Sequence, residues 1–411
     1  MPDMTVRLVA VGPPSAGAAG DLAAVSAALA AASIAVASWT ILEEDEAALE
    51  QALAGPGGLT VVLAGPGGSA GDVVRRALAR AAGTRLVLNE RMLAGLEEAA
   101  RRRDRPLDRR AERLALLPQG ATVWRAEDAE PAWTVEAQGR AFVVLARGGG
   151  VPSALGALLT DFARSHAGRD PRVTRTLKTA SVPLAEVEDR LAAWLGGAET
   201  AARDVSVSTV PADGEVWVRL AARGATPDEA MRALARVEPE ILAALGADCY
   251  GRDDDTLERV VGRLLIARRL TLAVAESCTG GLLGHRLTSV GGSSAYFERG
   301  VVVYSNRAKE ELLGVPASLL AQHGAVSAPC AEAMARGICE RAGTACGLAV
   351  TGIAGPDGGT PTKPVGTVFV GVAVAGDVAA HRFHFAGDRT AVKDRSAQAA
   401  LDLLRRRLGG G

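Results

Sequence analysis

Aromatic residues are scarce in this chain, 3% of the total, so its cores have to be packed from leucine, valine and alanine rather than from rings. Cysteine is scarce too: Cys249, Cys278, Cys330, Cys339 and Cys346 are odd in number and contain no CxxC pair. That pattern offers neither a disulfide framework nor a zinc site, and it fits a reducing compartment. There is no surplus of charge. A formal net charge of −1 gives no bulk attraction to nucleic acid. The run RRRDRPLDRRAER at 101–113 is basic but interleaved with acids, and reads as a solvated face or loop. No apolar run reaches membrane-spanning length, and Met1-Pro2-Asp3-Met4 leads straight into a strand-like run without a signal-peptide pattern. A cytoplasmic protein with neither a membrane nor a nucleic-acid partner is expected. What the chain does have is length: 411 residues exceed one ordinary core, so two or three domains are expected.

The first part alternates. Strands are expected over 6–11, 34–40, 59–63 and 142–146, and helices over 21–32, 45–53, 72–82 and 152–166. This predicts an α/β domain over residues 1–169 with a parallel sheet covered on both faces. Gly67-Gly68-Ser69-Ala70-Gly71 matches the G-x-S-x-G nucleophile elbow. The competing reading is a glycine-rich turn capped by Ser69 or Asp72. An elbow also needs a later acid and histidine, yet His166 is the only histidine before residue 285. No Gly-Lys-Ser/Thr follows, which excludes a Walker A loop. Arg169-Asp170-Pro171 reads as a linker. Residues 172–251 then give strands over 173–178, 204–211 and 216–222 and helices over 184–195 and 227–245, a small α+β module with Asp213-Gly214 as a hairpin signal. It has no GxxG loop with basic flanks and no catalytic cluster, and reads as a packing module.

The last domain, 256–411, opens with a helix capped by Thr256. Leu272-Ala273-Val274-Ala275 then reads as a buried strand that stops in Glu276-Ser277-Cys278-Thr279-Gly280-Gly281, with helical spacing resuming over 282–287. Strand, tight polar turn and helix start present a hydroxyl where unpaired N–H groups favour a developing anion. Ser277 is therefore either a nucleophile with oxyanion donors at Cys278, Thr279, Gly280 and Gly281, or, like Thr279, simply an N-cap. A strand over 299–305 ends at Tyr304, Asn306 is expected to cap a helix over 307–313, and Ser327 one over 328–342. A strand over 346–350 runs into Thr351-Gly352-Ile353-Ala354-Gly355-Pro356. An antiparallel pair over 365–375 and 378–385 turns at Gly376-Asp377, and a helix over 390–408 closes the chain.

Strand ends thus deliver Ser277, Tyr304 and Thr351 to turns, and a sheet with its strand C-termini on one side gathers them in one crevice. Lys309, at the third position of a helix capped by Asn306, is either a solvated lysine or a base whose amine is kept neutral by burial. The glycine-rich turn Gly355–Thr360, with Thr351 and Gly352 just before it, either brings backbone N–H groups close to a ligand, as phosphate sites require, or is a loop without function. Arg389 either binds a phosphate or pairs with Asp388. His381 and His384 lie on opposite faces of a strand, and His285 and His323 lack partners at ligand spacing, so no metal site is expected.

These segments carry a resemblance. AVAESCTGGLLGHRLTSVGGSSAYFERGVVVYSN, AKEELLGV, HGAVS, AVTGIAGPDGGTPTKPVGTVF and FAGDR make residues 256–408 resemble the C-terminal domain of the CinA (competence/damage-inducible protein A) family, the nicotinamide-nucleotide amidases. The resemblance implies an α/β amidase that hydrolyses the carboxamide of nicotinamide mononucleotide to nicotinate mononucleotide and ammonia. It implies Ser277 as nucleophile, Tyr304 and Lys309 as the residues that activate it and shuttle its proton, and Arg389 as a basic residue of the site. It further implies no cofactor or metal for that reaction, and a homodimer. Residues 1–169 resemble the same family's molybdopterin-binding-like domain, which in some members is an ADP-ribose pyrophosphatase. The family's GGxGPTxDD turn is here Ala64-Gly65-Pro66-Gly67-Gly68-Ser69-Ala70-Gly71-Asp72. Its early Gly-Thr/Asp-Glu segment becomes Gly12-Pro13-Pro14, and its Pro-Gly-Val-Pro-Ser-Glu becomes Gly149-Gly150-Val151-Pro152-Ser153-Ala154. Three carboxylates are missing, so an inactive domain is expected; a divalent metal would matter only if it were active. Residues 172–251 resemble the family's KH-like middle domain. The rival readings are pyrophosphatase activity in the N-terminal domain, or a non-catalytic nucleotide-binding or scaffold protein.

Overall fold

The structure, a computed structural model, describes residues 6–13, 17–32, 34, 36–55, 58–65, 68–102, 104, 107, 112–124, 131–147, 153–166, 172–195, 204–212 and 214–409. The linker at 169–171, the segment 148–152, residues 66–67 and Asp213 of the hairpin signal lie outside them. The chain divides into two compact units, Met1–Thr174 with Ala222–Ala233, and Arg175–Ala221 with Leu234–Gly411. Most of the middle segment falls in the second unit.

The first unit runs β1 (Val6–Val11), α1 (Ala18–Ala31), β2 (Val36–Leu42), α2 (Glu46–Ala54), β3 (Leu59–Ala64), α3 (Gly68–Ala81), β4 (Leu86–Leu88), α4 (Glu90–Arg102), β5 (Leu116–Pro118), β6 (Thr122–Trp124), β7 (Ala132–Ala137), β8 (Arg140–Ala146) and α5 (Ser153–His166). Its main sheet has the order β2-β1-β3-β8-β7-β6, parallel from β2 to β8 and antiparallel beyond. The parallel part follows from runs such as Leu59–Ala64, buried at every position and so covered on both faces. The antiparallel extension was not expected. Gln138 and Gly139 both have positive φ, 53° and 73°, which matches the turn that closes a two-residue hairpin between β7 and β8. Gly68 to Gly71 form the first turn of α3, so the described part of the supposed elbow is helix.

The middle segment supplies β9 (Arg172–Ala180), α6 (Leu184–Arg190), β10 (Val205–Ala212), β11 (Glu215–Arg223), α7 (Pro227–Leu245) and β12 (Cys249–Arg252), with the strands ordered β10-β11-β9-β12. The expected helix over 184–195 ends at Arg190, and β12 is additional. There follow α8 (Leu257–Arg268), β13 (Leu272–Glu276), α9 (Leu282–Thr288), β14 (Phe297–Val302), α10 (Asn306–Leu313), α11 (Ala317–His323), α12 (Ala328–Ala342), β15 (Cys346–Gly352), β16 (Thr367–Val374), β17 (Asp377–His384) and α13 (Arg389–Gly409). This sheet has the order β14-β13-β15-β16-β17, with β13 parallel to β14 and β15 and the last two strands antiparallel. The final hairpin turns at Ala375-Gly376, one residue earlier than expected, with φ of 50° and 90°.

The period of two along β13 divides its neighbours between two cores. Leu272 and Val274 pack with α8, α9 and α13, whereas Ala273 and Ala275 pack with α10, α11 and α12. A Cβ on Gly371 would meet the Ala331 carbonyl oxygen at 2.2 Å, so only glycine lets α12 lie this close to β16. Among the described residues, no helix is long and apolar enough to cross a membrane.

Candidate active site

Because β13, β14 and β15 are parallel, their C-terminal ends meet at one edge, with Glu276 in register with Val302 on one side and Val350 on the other. Ser277 continues the pairing, its N–H donating to the Val350 carbonyl at 2.9 Å. By strand alternation Ser277 extends the row of Ala273 and Ala275, toward α10. There it meets Lys309.

Lys309 is 1% exposed, and its Nζ lies 3.1 Å from Ser277 Oγ, 2.7 Å from the Val303 carbonyl oxygen and 3.2 Å from that of Tyr304. Burial pushes the ammonium pKa down, opposed by the nearby Cys330 and Cys278 thiols. Among the described residues no carboxylate pairs with it. A neutral amine has two N–H groups and one lone pair. As ammonium, Nζ donates to all three oxygens; in the neutral form the two carbonyls would hold the N–H groups and the lone pair would accept the serine O–H. The cap of α10 is Ser305, not Asn306: the Ser305 hydroxyl accepts from the Ala308 N–H at 3.0 Å. Lys309 is thus the fourth helical residue rather than the third.

Tyr304 contributes its backbone to this cluster and sends its side chain elsewhere. The ring is 64% exposed, and Oη accepts a hydrogen bond from Arg389 Nη2 at 3.3 Å, not from Ser277 or Lys309. Arg389 Nη1 also donates to the Gly355 carbonyl at 2.7 Å. It has no carboxylate partner among the described residues; Asp388 caps the helix instead, accepting from the Ala391 N–H at 2.9 Å. Lys393, one helical turn beyond Arg389, escaped the sequence reading. Its Nζ lies 3.9 Å from where a Cβ on Gly280 would stand, so α13 brings two cations to the rim. Thr351 and Gly352 do different work: the Thr351 hydroxyl donates to the Ala325 carbonyl at 2.8 Å, and a Cβ on Gly352 would meet Val368 Cγ2 at 2.7 Å. Both serve packing around the strand end.

The turn itself departs from expectation. Thr279 is not a cap: Gly281 occupies the N-cap position of α9 with φ 97°, and Thr279 Oγ1 is buried without a partner among the described residues. The capping group is Glu276, which the sequence reading passed over. The Gly280 amide donates to the Ser277 carbonyl at 3.2 Å and that of Gly281 to Glu276 at 3.0 Å. Of the four expected oxyanion donors, the amides of Cys278 and Thr279 have no backbone carbonyl partner among the described residues, and that of Cys278 lies against its own thiol sulfur.

In the first unit two carboxylates that follow strands of the main sheet are paired with arginines. Asp72 pairs with Arg75 and with Arg113 at 3.5 Å, and Asp21 with Arg147 at 3.3 Å.

Comparison with known proteins bears on both units. Residues 254–408 match the CinA C-terminal domain, and residues 174–251 the KH domain of damage-inducible protein CinA. A CinA-like protein of Geobacter sulfurreducens is 40% identical over 398 residues, covering 94% of each chain. Another from Syntrophus aciditrophicus is 39% identical over 382 residues, covering 90% of this chain and 89% of the relative. The crystal structure of competence damage-inducible protein A from Klebsiella pneumoniae is 40% identical, covers 37% of this chain and 95% of its own, and has a TM-score of 0.37.

Proposed function

The chain belongs to the CinA family, and we propose that its C-terminal domain is a serine amidase that converts nicotinamide mononucleotide to nicotinate mononucleotide and ammonia. The observation that carries this reading is the buried Lys309 amine 3.1 Å from Ser277 Oγ, with two carbonyls to hold its N–H groups. Ser277 Oγ attacks the carboxamide carbon while its proton passes to Lys309 Nζ. The tetrahedral oxyanion is met by the amides of Cys278 and Thr279. The C–N bond breaks as Lys309 returns the proton to the leaving nitrogen, and ammonia departs from a Ser277 ester. Water then attacks the ester carbonyl; Lys309 takes its proton and passes it back to Ser277 Oγ as the carboxylate product leaves. Arg389 and Lys393 offer positive charge for the ribose-bound phosphate, and Tyr304 braces Arg389.

The test is ammonia release. Ser277→Ala should abolish release while nicotinamide mononucleotide still raises the protein's thermal midpoint. Turnover retained by the variant would remove Ser277 from the chemistry. Binding without ammonia release in the unmodified protein would favour a nucleotide-binding role instead.

A further inference from the structure

Glu276 is the last residue of β13 and only 2% exposed, next in sequence to the proposed nucleophile. Among the described residues no cation pairs with its carboxylate. Oε2 accepts from the amides of Gly281 and Leu283, both at 3.0 Å, and Oε1 from that of Gly284 at 2.8 Å. A buried carboxylate is costly unless its lone pairs are filled, and here the first turn of α9 fills them. A serine or asparagine cap would satisfy one of these amides, whereas the carboxylate ties three to the strand end. The segment from 276 to 284 becomes a closed ring, passable because Gly280 and Gly281 take φ of 61° and 97°.

Strand alternation places this clamp on the other face from the base. Glu276 extends the row of Leu272 and Val274, toward α9, while Ser277 extends the opposite row, toward Lys309. Fixing the turn and activating the serine are therefore separate tasks. With the amides of Gly281, Leu283 and Gly284 consumed, those of Cys278 and Thr279 are the donors left beside Ser277.

Resting on the serine-amidase reading, we infer that Glu276 is a positioning residue, which holds Ser277 Oγ and the Cys278 and Thr279 amides in fixed relation to the substrate carbonyl. Glu276→Gln keeps the shape but replaces one acceptor oxygen with an NH₂ that faces an amide donor. Misplacement of the reacting atoms by a fraction of an ångström to an ångström lowers the rate about 10- to 100-fold.

The experiment measures kcat, KM and the pH profile of ammonia release for the full chain, its Glu276→Gln and Glu276→Asp variants, and labelling of Ser277 by a fluorophosphonate. The Gln variant should lose about 10- to 100-fold in kcat, with KM and the pH midpoint held within about twofold, because Lys309 and the phosphate-facing cations are untouched. The Asp variant, charged but shorter, should recover part of kcat. Unchanged kcat in the Gln variant, or an equal collapse of substrate binding and rate, would overturn the inference. A second measurement needs no variant. Amide exchange in the unmodified protein should show Gly281, Leu283 and Gly284 protected from the start, and Cys278 and Thr279 protected only in the phosphonyl adduct. Transfer of the Gly281 amide to the adduct would equally overturn it. If the unmodified protein neither releases ammonia nor is labelled, it is the amidase reading that fails.

Discussion

At Lys309 the deciding quantity is the charge on one amine. Ammonium has three N–H groups and no lone pair, so it can donate to Ser277 Oγ but cannot accept its proton. Burial lowers the pKa, so the neutral base dominates from a pH below the ordinary lysine range. The sign follows: kcat/KM should rise with pH, then level off above that lowered pKa, with a midpoint under the usual value of about 10.4. Lys309→Met should remove the rise and lower kcat by about 10²- to 10⁴-fold, the usual share of a general base. A pH–rate series on both proteins checks this, and a profile unaltered by the substitution would assign the base elsewhere. Little of this was legible beforehand. The sequence suggested Lys309 as a candidate, but burial to 1% exposure depends on which way its helix is turned, and that is a tertiary fact.

Helix starts show the same limit at the next scale. Ser305 and Asn306 are both good caps, and only the extended backbone of Ser305, φ −84° and ψ 161°, decides between them. One residue of shift rotates every later side chain by about 100° relative to the cap. Strand ends were easier to read. The apolar runs before Ser277 and Thr351 fixed both strands and hence the parallel edge where the site lies. Glu276 was not singled out because an acid at a strand end looks like a solvated turn until the amides of α9 are seen around it. On α13 the spacing of Arg389 and Lys393 was visible, but its meaning required the neighbouring Gly280 turn. Removing a charge-assisted contact costs about 1.5–3 kcal/mol, roughly 10- to 100-fold. Arg389→Ala and Lys393→Ala should each raise KM for the mononucleotide by about that factor, while leaving the weaker hydrolysis of the phosphate-free riboside nearly unchanged. Equal losses on both substrates would mean that these cations do not read the phosphate.

Over the whole molecule, the middle segment and the C-terminal domain, which the sequence divides near residue 255, pack against each other within the second unit. Tyr250 and Ala180 share a core with α8, β13 and α13. Asp402 of α13 is 1% exposed and accepts from Arg405 Nε and Arg406 Nε, both at 2.8 Å. Arg405 Nη2 continues to the Ala247 carbonyl at 2.7 Å and Arg406 Nη2 to Asp248 at 2.7 Å, so one carboxylate orients both guanidinium groups toward the middle module. Asp402→Ala leaves Arg405 buried without its anion. Breaking a buried pair costs about 3–5 kcal/mol, and Arg406, being partly exposed, adds little, so the low end, about 3 kcal/mol, is expected. Urea unfolding of the full chain measures it. The rate of ammonia release per folded molecule should hold, because 13 residues of helix put Asp402 about 20 Å from Arg389. A loss under about 1 kcal/mol would mean that the apolar contacts of Tyr250 and Ala180, not the arginine network, hold the middle module to the C-terminal domain.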